Sequence, residues 1–237
     1  MSALFRNRDE AGHALAARLL HLRLAAPMVV LALPRGGVPI GAVVARALGA
    51  PFDLLMVRKI GVPWQPELAL AAVVDGERPE IVIDEEVAGH CNVDPNYIED
   101  QALVELREID RRRKLYLQGR AAVPVEGCTA IVVDDGIATG TTVRAALKAL
   151  RRSGPARLVL AVPVAPADTL AALRSEVDEV VCLSQPYPFR AIGDHYADFH
   201  QVSDGEVLAA LASCPAEPQR AGSSARPSTS EQRGSTP

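Results

Sequence analysis

The chain has 237 residues, of which 49% are hydrophobic and only 4% aromatic, and its formal net charge is −4. That length fits one α/β domain plus a tail, with a core built from alanine, leucine and valine. The negative charge gives no electrostatic case for a nucleic-acid binder, and no apolar run is long enough to span a membrane. The four cysteines are scattered without a C-x-x-C pair, which argues against a zinc or redox site and favours a cytoplasmic protein.

Strands and helices alternate along most of the sequence. Hydrophobic periodicity predicts helices at residues 9–22, 40–48, 95–117, 142–152 and 168–175. Shorter apolar runs predict strands at residues 28–33, 54–57, 68–74, 80–83, 130–133, 158–164 and 180–183. Asp75-Gly76, between two of these strands, is typical of a tight hairpin turn. The alternation predicts right-handed β-α-β units and a parallel sheet, which is an α/β fold.

The composition changes near residue 214. Proline, serine, glycine and arginine dominate residues 214–237. Such a segment buries too little apolar surface to offset its chain entropy, so a disordered tail is predicted there. One domain is expected over residues 1–213.

The segment from Ile131 to Thr142 carries the strongest chemical signal. A buried strand delivers Asp134 and Asp135 to its carboxyl end, where ligands bind in open α/β sheets. A loop rich in glycine and threonine follows, and then a helix. Backbone N–H groups at a helix start, supported by the helix dipole, suit a phosphate. The two carboxylates can accept hydrogen bonds from vicinal sugar hydroxyls, so the segment predicts a site for a sugar phosphate.

Other interpretations of this segment are weaker. The lysine and spacing of a Walker A loop are missing, and so is G-x-G-x-x-G. A plain strand–turn–helix corner with a capping acid remains an alternative. It does not explain two adjacent carboxylates, which repel each other, since a cap needs only one.

The same residues resemble the signature of the type I phosphoribosyltransferase family, which uses 5-phosphoribosyl-1-pyrophosphate (PRPP). The resemblance implies a Rossmann-like parallel sheet flanked by helices with a small hood. It implies that Asp134 and Asp135, the expected catalytic pair, hold the ribose hydroxyls. The residues implied to hold the 5′-phosphate are Ala138, Thr139, Gly140, Thr141 and Thr142. Mg²⁺ is expected on pyrophosphate and ribose oxygens, with the carboxylates reaching it through water and no direct protein ligand.

Two more segments are candidates for the pyrophosphate. Arg35, Gly36 and Gly37 follow the first strand, where an ordinary glycine-rich turn is the alternative. They resemble the family's pyrophosphate loop, in which members often hold a non-proline cis peptide. Arg58 and Lys59 are predicted to end the second strand at the same edge, as in some family members. The alternative for these two cations is a solvated face.

The segment 186–204 gathers aromatic and imidazole rings, and the resemblance implies that it forms part of the acceptor hood. Phe189 and Tyr196 are expected to stack on a flat acceptor, although the rings could instead plug one end of the sheet. Ala138 stands where some purine-specific relatives carry an acid, which argues against guanine and hypoxanthine. The 76–120 segment falls where the family keeps a mobile loop, but its opposite charges also fit a plain exposed helix.

The resemblance implies transfer of the phosphoribosyl group of PRPP to a nitrogenous base or related acceptor, with release of pyrophosphate. PRPP and a small-molecule acceptor are the expected partners, without nucleic acid or membrane, and a homodimer is left open. The alternative of another class is a regulatory protein that senses PRPP or a nucleotide on the same fold. A screen of bases for PRPP-dependent pyrophosphate release discriminates between them.

Overall fold

A computed structural model describes residues 3–75 and 79–214. The strands are β1 (Met28–Ala32), β2 (Phe52–Leu54), β3 (Val57–Val62), β4 (Gln65–Val74), β5 (Glu80–Ile83), β6 (Thr129–Val133), β7 (Arg157–Val164) and β8 (Glu179–Ser184). The helices are α1 (Arg8–His21), α2 (Gly37–Leu48), α3 (Glu85–Cys91), α4 (Pro95–Leu117), α5 (Thr141–Arg152), α6 (Ala167–Leu173) and α7 (Asp204–Ala212). One-turn 3₁₀ helices lie at Arg174–Glu176 and Ile192–His195.

Five parallel strands form the central sheet in the order β2-β1-β6-β7-β8. The strands are short apolar runs because helices cover both faces, so no side of β1 or β6 needs polar residues. β1 and β6 are neighbours, and Ala32 pairs with Val133 at their ends. Their carboxyl ends therefore meet at one edge, and the predicted parallel sheet is confirmed.

Helices pack on both faces of this sheet. The buried leucines of α1 and the apolar helix α2 belong to the core of one face, together with α7. α5 and α6 contribute Leu147 and Leu170 to the core of the other face. α2 ends at Gly49, whose φ of 62° is a left-handed cap conformation that glycine adopts without strain.

A separate antiparallel sheet of β3, β4 and β5 interrupts the β-α-β pattern. The single strand predicted at 54–57 is wrong: β2 ends at Leu54 in the central sheet, and β3 begins at Val57 in the second one. The linking Leu55 and Met56 are buried, so the apolar run continues through the break and hides it. β4 and β5 pair as predicted for the hairpin, although Gly76 of its turn lies outside the described residues.

Two helices were not predicted from the sequence. α7 begins with a capping box in which Ser203 and Glu206 bond each other's backbone N–H groups, a pattern readable in the sequence. α3 is short, and Asp84 caps it by accepting from the Val87 N–H. The predicted tail lies outside the described residues except for Cys214, which is buried. Within the described ranges, no helix combines the length and apolar character needed to cross a membrane.

Candidate functional site

The loop after β1 and the loop after β6 pack directly against each other. A Cβ atom added to Gly36 would lie 2.1 Å from Asp135 Oδ2, and one added to Gly37 would lie 2.7 Å from the Val133 carbonyl oxygen. Both distances are shorter than any van der Waals contact, so a side chain at either position would displace the facing loop. The structure therefore brings the predicted glycine-rich loop and the predicted acidic pair into one site.

Arg35 stands at the edge of this site. Its peptide bond to Pro34 is cis, the conformation that the family resemblance implies at this point. The guanidinium remains about one-third exposed, and Arg35 Nη1 lies 3.5 Å from Asp204 Oδ1 at the start of α7. The Tyr116 hydroxyl donates to the same Asp204 oxygen at 2.6 Å. A partly exposed guanidinium beside a glycine loop is placed to receive an anion.

The two acidic residues occupy different environments. Asp135 is only 7% exposed, its Oδ2 accepts a hydrogen bond from Arg8 Nε at 2.9 Å, and Arg8 Nη2 forms an ion pair with the same oxygen at 2.8 Å. Asp134 is partly exposed, and its Oδ1 accepts from the Asp135 backbone N–H at 2.8 Å. Sequence reasoning missed Arg8, because nothing local distinguishes a basic residue at the start of an amphipathic helix.

Both carboxyl groups are electrostatically unfavourable in their ionised form. Burial raises the pKa of Asp134 well above its ordinary value, and the charge of Asp135 raises it further. Burial also raises the pKa of Asp135, although the Arg8 guanidinium opposes that shift. A cation or a hydroxyl donor brought to Asp134 would relieve this cost.

The third loop, residues 138–142, leads from the acidic pair into α5. Gly140 has a φ of 75° and lies so close to Thr169 that an added Cβ would be 2.8 Å from it. Thr169 Oγ1 donates to the Ala138 carbonyl oxygen at 2.8 Å and tethers the loop. Among the described residues, no side chain caps the first turn of α5. These amides can therefore receive an external acceptor such as a phosphate.

Two cations that the sequence analysis did not single out lie beside this loop. Arg144 and Lys148, four residues apart on α5, line a cavity of about 100 Å³ together with Thr139 and Thr141. The buried Nε of Arg144 has no hydrogen-bond partner in the described part of the chain. A larger cavity, about 520 Å³, lies away from these loops, against β2 and the end of α5.

Arg58 and Lys59 do not end a strand of the central sheet, contrary to the prediction. They lie in β3, where they pair with Val73 and Ala72 of β4. Arg58 Nε donates to Glu105 Oε2 on α4 at 2.6 Å, so a carboxylate already faces this cation. The prediction depended on a strand boundary that the break between β2 and β3 shifts by several residues.

The two predicted hood residues have different surroundings. Tyr196 is 5% exposed, and its hydroxyl donates to the Asp135 carbonyl oxygen at 2.6 Å. Its ring stacks on Phe199, with centroids 5.1 Å apart. This placement favours support of the acidic pair over stacking on a ligand. Phe189 is half-buried, and its ring lies 4.9 Å from that of His195.

The parallel sheet defines an α/β protein, and the glycine loop, the acidic pair and the uncapped helix start form a candidate ligand site at the carboxyl edge of its strands. The particular family follows from comparison with known sequences. The family model described as "Phosphoribosyl transferase domain" matches residues 7–196. The chain therefore belongs to this family, with the type I phosphoribosyltransferase fold.

Named relatives agree with this assignment. Two Mycobacterium tuberculosis proteins, "Putative phosphoribosyl transferase Rv0571c" of strain H37Rv and "Putative phosphoribosyl transferase MT0597" of strain CDC 1551, are each 45% identical over 208 residues. These matches cover 88% of this chain but 46% of each relative, so the chain spans about half their length. The crystal structure of TT1426 from Thermus thermophilus has 42% identity and a TM-score of 0.77, covering 87% of this chain and 97% of that one.

Proposed function

We propose that the protein transfers the phosphoribosyl group of PRPP to a nitrogen acceptor and releases pyrophosphate. The observation that carries the proposal is the contact between Gly36 and Asp135, which joins a glycine loop to an acidic pair at one sheet edge. The uncapped start of α5 follows on the same loop. PRPP carries a pyrophosphate, a ribose and a 5′-phosphate. The residues proposed to bind these three groups lie at one edge of the sheet.

Each part of PRPP is assigned by its chemistry. The acidic pair forms the ribose subsite, where a carboxylate accepts hydrogen bonds from the ribose hydroxyls, and residues 138–142 bind the 5′-phosphate through backbone amides and threonine hydroxyls. Arg35, with Gly36 and Gly37, binds the pyrophosphate. Arg58 and Lys59 stay candidates for the pyrophosphate only if that group reaches β3.

In the reaction, the bond from C1′ of the ribose to the pyrophosphate oxygen breaks, and a bond from C1′ to the acceptor nitrogen forms. The acceptor nitrogen loses a proton in the process. Positive charge develops at C1′ while negative charge collects on the leaving group, where the Arg35 guanidinium can stabilise it. Binding at both the ribose and the 5′-phosphate restricts the orientation of the substrate. This restriction lowers the entropy cost of reaching the transition state.

The site suits Mg²⁺ that is held chiefly by the substrate. The carboxylate oxygens are of the type that Mg²⁺ prefers, and Asp134 is exposed enough to meet a hydrated ion. Within residues 3–75 and 79–214, no group of three or more histidine, cysteine, aspartate or glutamate side chains is arranged to hold a metal. Asp134 would therefore contact the ion through water. When bound, Mg²⁺ would neutralise the pyrophosphate.

The acceptor is proposed to be a nitrogenous base or related compound other than guanine or hypoxanthine. Ala138 is exposed beside the phosphate loop and has no carboxylate for a base nitrogen. Phe189, half-buried at the hood, is the better candidate for a stacking contact, since the Tyr196 ring is buried. A cytoplasmic location and a homodimer stay predictions.

The test measures pyrophosphate release from PRPP and Mg²⁺ with a panel of bases, next to titration calorimetry of PRPP alone. Release with at least one base supports the transferase. Tight PRPP binding with no release for any base would instead favour the sensor, since a sensor needs the site but not the chemistry. A folded wild-type protein that does not bind PRPP would refute both.

A further inference from the structure

We propose that Arg8 is a positioning residue that holds Asp135 away from the substrate and leaves Asp134 as the carboxylate that binds the ribose. This inference rests on the proposed function and deepens it. The sequence presents the two acids as an equivalent pair. The structure separates them, because only one has a buried cationic partner.

Every nitrogen of the Arg8 guanidinium is engaged inside the protein. Nε donates to Asp135 Oδ2 at 2.9 Å, Nη2 forms an ion pair with the same oxygen at 2.8 Å, and Nη1 donates to the His200 carbonyl oxygen at 2.8 Å. The carbon of the guanidinium lies 4.0 Å from the centroid of the Phe199 ring. Arg8 is 8% exposed, so this ion pair is shielded from water and salt.

Asp135 is enclosed from the other directions as well. The Tyr196 hydroxyl donates to its carbonyl oxygen at 2.6 Å, and the Gly36 backbone lies against its carboxylate. A ribose hydroxyl could reach Asp135 Oδ2 only by displacing the guanidinium. Removing one partner of a buried ion pair costs more than a single hydrogen bond to a hydroxyl returns.

Asp134 has the opposite character. It is partly exposed, and the hydrogen bond from the Asp135 backbone N–H fixes only its Oδ1. Arg8 balances the charge of Asp135, so Asp134 is the carboxyl group left to meet the ligand. Asp135 therefore acts on the ligand only through Asp134. Arg8 and Tyr196 hold Asp135, and the backbone N–H of Asp135 holds the Asp134 carboxylate.

The experiment compares Asp134→Asn, Asp135→Asn, Arg8→Met and the double variant Arg8→Met/Asp135→Asn by thermal unfolding and PRPP titration calorimetry. Arg6→Met is the matched control, since the Arg6 side chain is 84% exposed in the same segment and touches no site residue. The control is expected to match wild type in both measurements.

We expect Asp134→Asn to weaken PRPP binding roughly tenfold or more, because it loses a charge-assisted hydrogen bond, without lowering Tm. Arg8→Met should lower Tm by about 6 °C or more, because it leaves a buried carboxylate without its partner. Arg8→Met should also weaken PRPP binding, because an unpaired Asp135 no longer holds Asp134 in place. The double variant should recover most of both losses, since the neutral asparagine side chain at position 135 needs no cation. This rescue distinguishes positioning from direct binding.

The proposal is overturned if Asp135→Asn loses as much PRPP affinity as Asp134→Asn at an unchanged Tm. It is also overturned if the double variant binds PRPP no better than Arg8→Met. Should Arg8→Met fail to fold, Arg8→Lys replaces it, and the comparison of the two asparagine variants still decides. Failure of wild type to bind PRPP would refute the proposed function, while the Tm values would still decide whether Arg8 and Asp135 form a stabilising pair.

Discussion

Gly36 gives the sharpest test of the packed loops, because its backbone is ordinary. Its φ of −60° and ψ of −40° suit any residue, so alanine meets no conformational strain there. The added Cβ would lie 2.1 Å from Asp135 Oδ2 and 2.6 Å from its Cγ. The destabilising effect of Gly36→Ala is therefore steric, and it falls on the carboxylate that Arg8 holds.

The expected loss of folding stability in Gly36→Ala depends on which group moves to make room for the added Cβ atom. If the loop yields slightly, the cost is that of overpacking, about 1–3 kcal/mol. If the carboxylate leaves the guanidinium, the cost rises toward that of a broken buried pair, about 3–5 kcal/mol. For a protein of this size, each kcal/mol lowers Tm by about 2–4 °C, so a fall of at least about 2 °C is expected.

Gly89→Ala is the matched control. Gly89 lies inside α3, and nothing approaches within 4 Å of the position of an added Cβ. Alanine should stabilise that helix by up to about 1 kcal/mol, because it reduces the entropy of the unfolded chain. Thermal unfolding and PRPP calorimetry of both variants complete the test. A Gly36→Ala protein that melts with wild type and binds PRPP equally well would refute the reasoning.

Three more outcomes are expected. The pKa of Asp134 is raised in the folded protein, so ionisation of this group costs folding stability as the pH rises above about 3.8. Asp134→Asn removes that cost and should therefore raise Tm more at pH 7 than at pH 4.5. An equal rise in Tm at both pH values would contradict this prediction. Arg35→Ala should weaken PRPP binding more than ribose 5-phosphate binding in calorimetry, and an equal loss would place Arg35 away from the pyrophosphate. In steady-state kinetics, guanine and hypoxanthine should be poor acceptors, and Phe189→Ala should raise the acceptor KM several-fold while sparing PRPP affinity. Efficient guanine turnover would contradict this account of the hood.

Local patterns in the sequence were sufficient to predict the central sheet and the helix that follows residues 138–142, while phosphate binding by that loop stays a prediction. The strand before Asp134, the glycines after β1 and the helix start after Gly140 are each encoded within a few neighbouring residues. The boundary between β2 and β3 could not be predicted in this way, since Leu55 and Met56 keep the apolar run continuous while the chain changes sheets. The error about Arg58 and Lys59 follows directly from that boundary.

The support of the acidic pair was unpredictable for a different reason. Arg8 and Asp135 are separated by 127 positions, and Tyr196 lies 61 positions from Asp135. No periodicity or motif connects such residues; only the packing of the chain does. The aromatic rings of 186–204 were visible as a cluster, but composition could not show that Tyr196 points into the core.

Two distant segments, residues 4–8 and 195–200, meet behind this site. The Leu4 and Phe5 N–H groups donate to the His195 carbonyl oxygen at 3.0 and 3.1 Å, and the Phe5 ring lies 5.7 Å from that of Tyr196. Arg8 and Tyr196, which hold Asp135 from these two segments, both fall within the part of the chain that matches the family model. The acidic pair must keep two carboxyl groups close together. Residues 4–8 and 195–200 supply the cation and the hydroxyl that hold Asp135, so mutations in either segment should reach the site through Asp135.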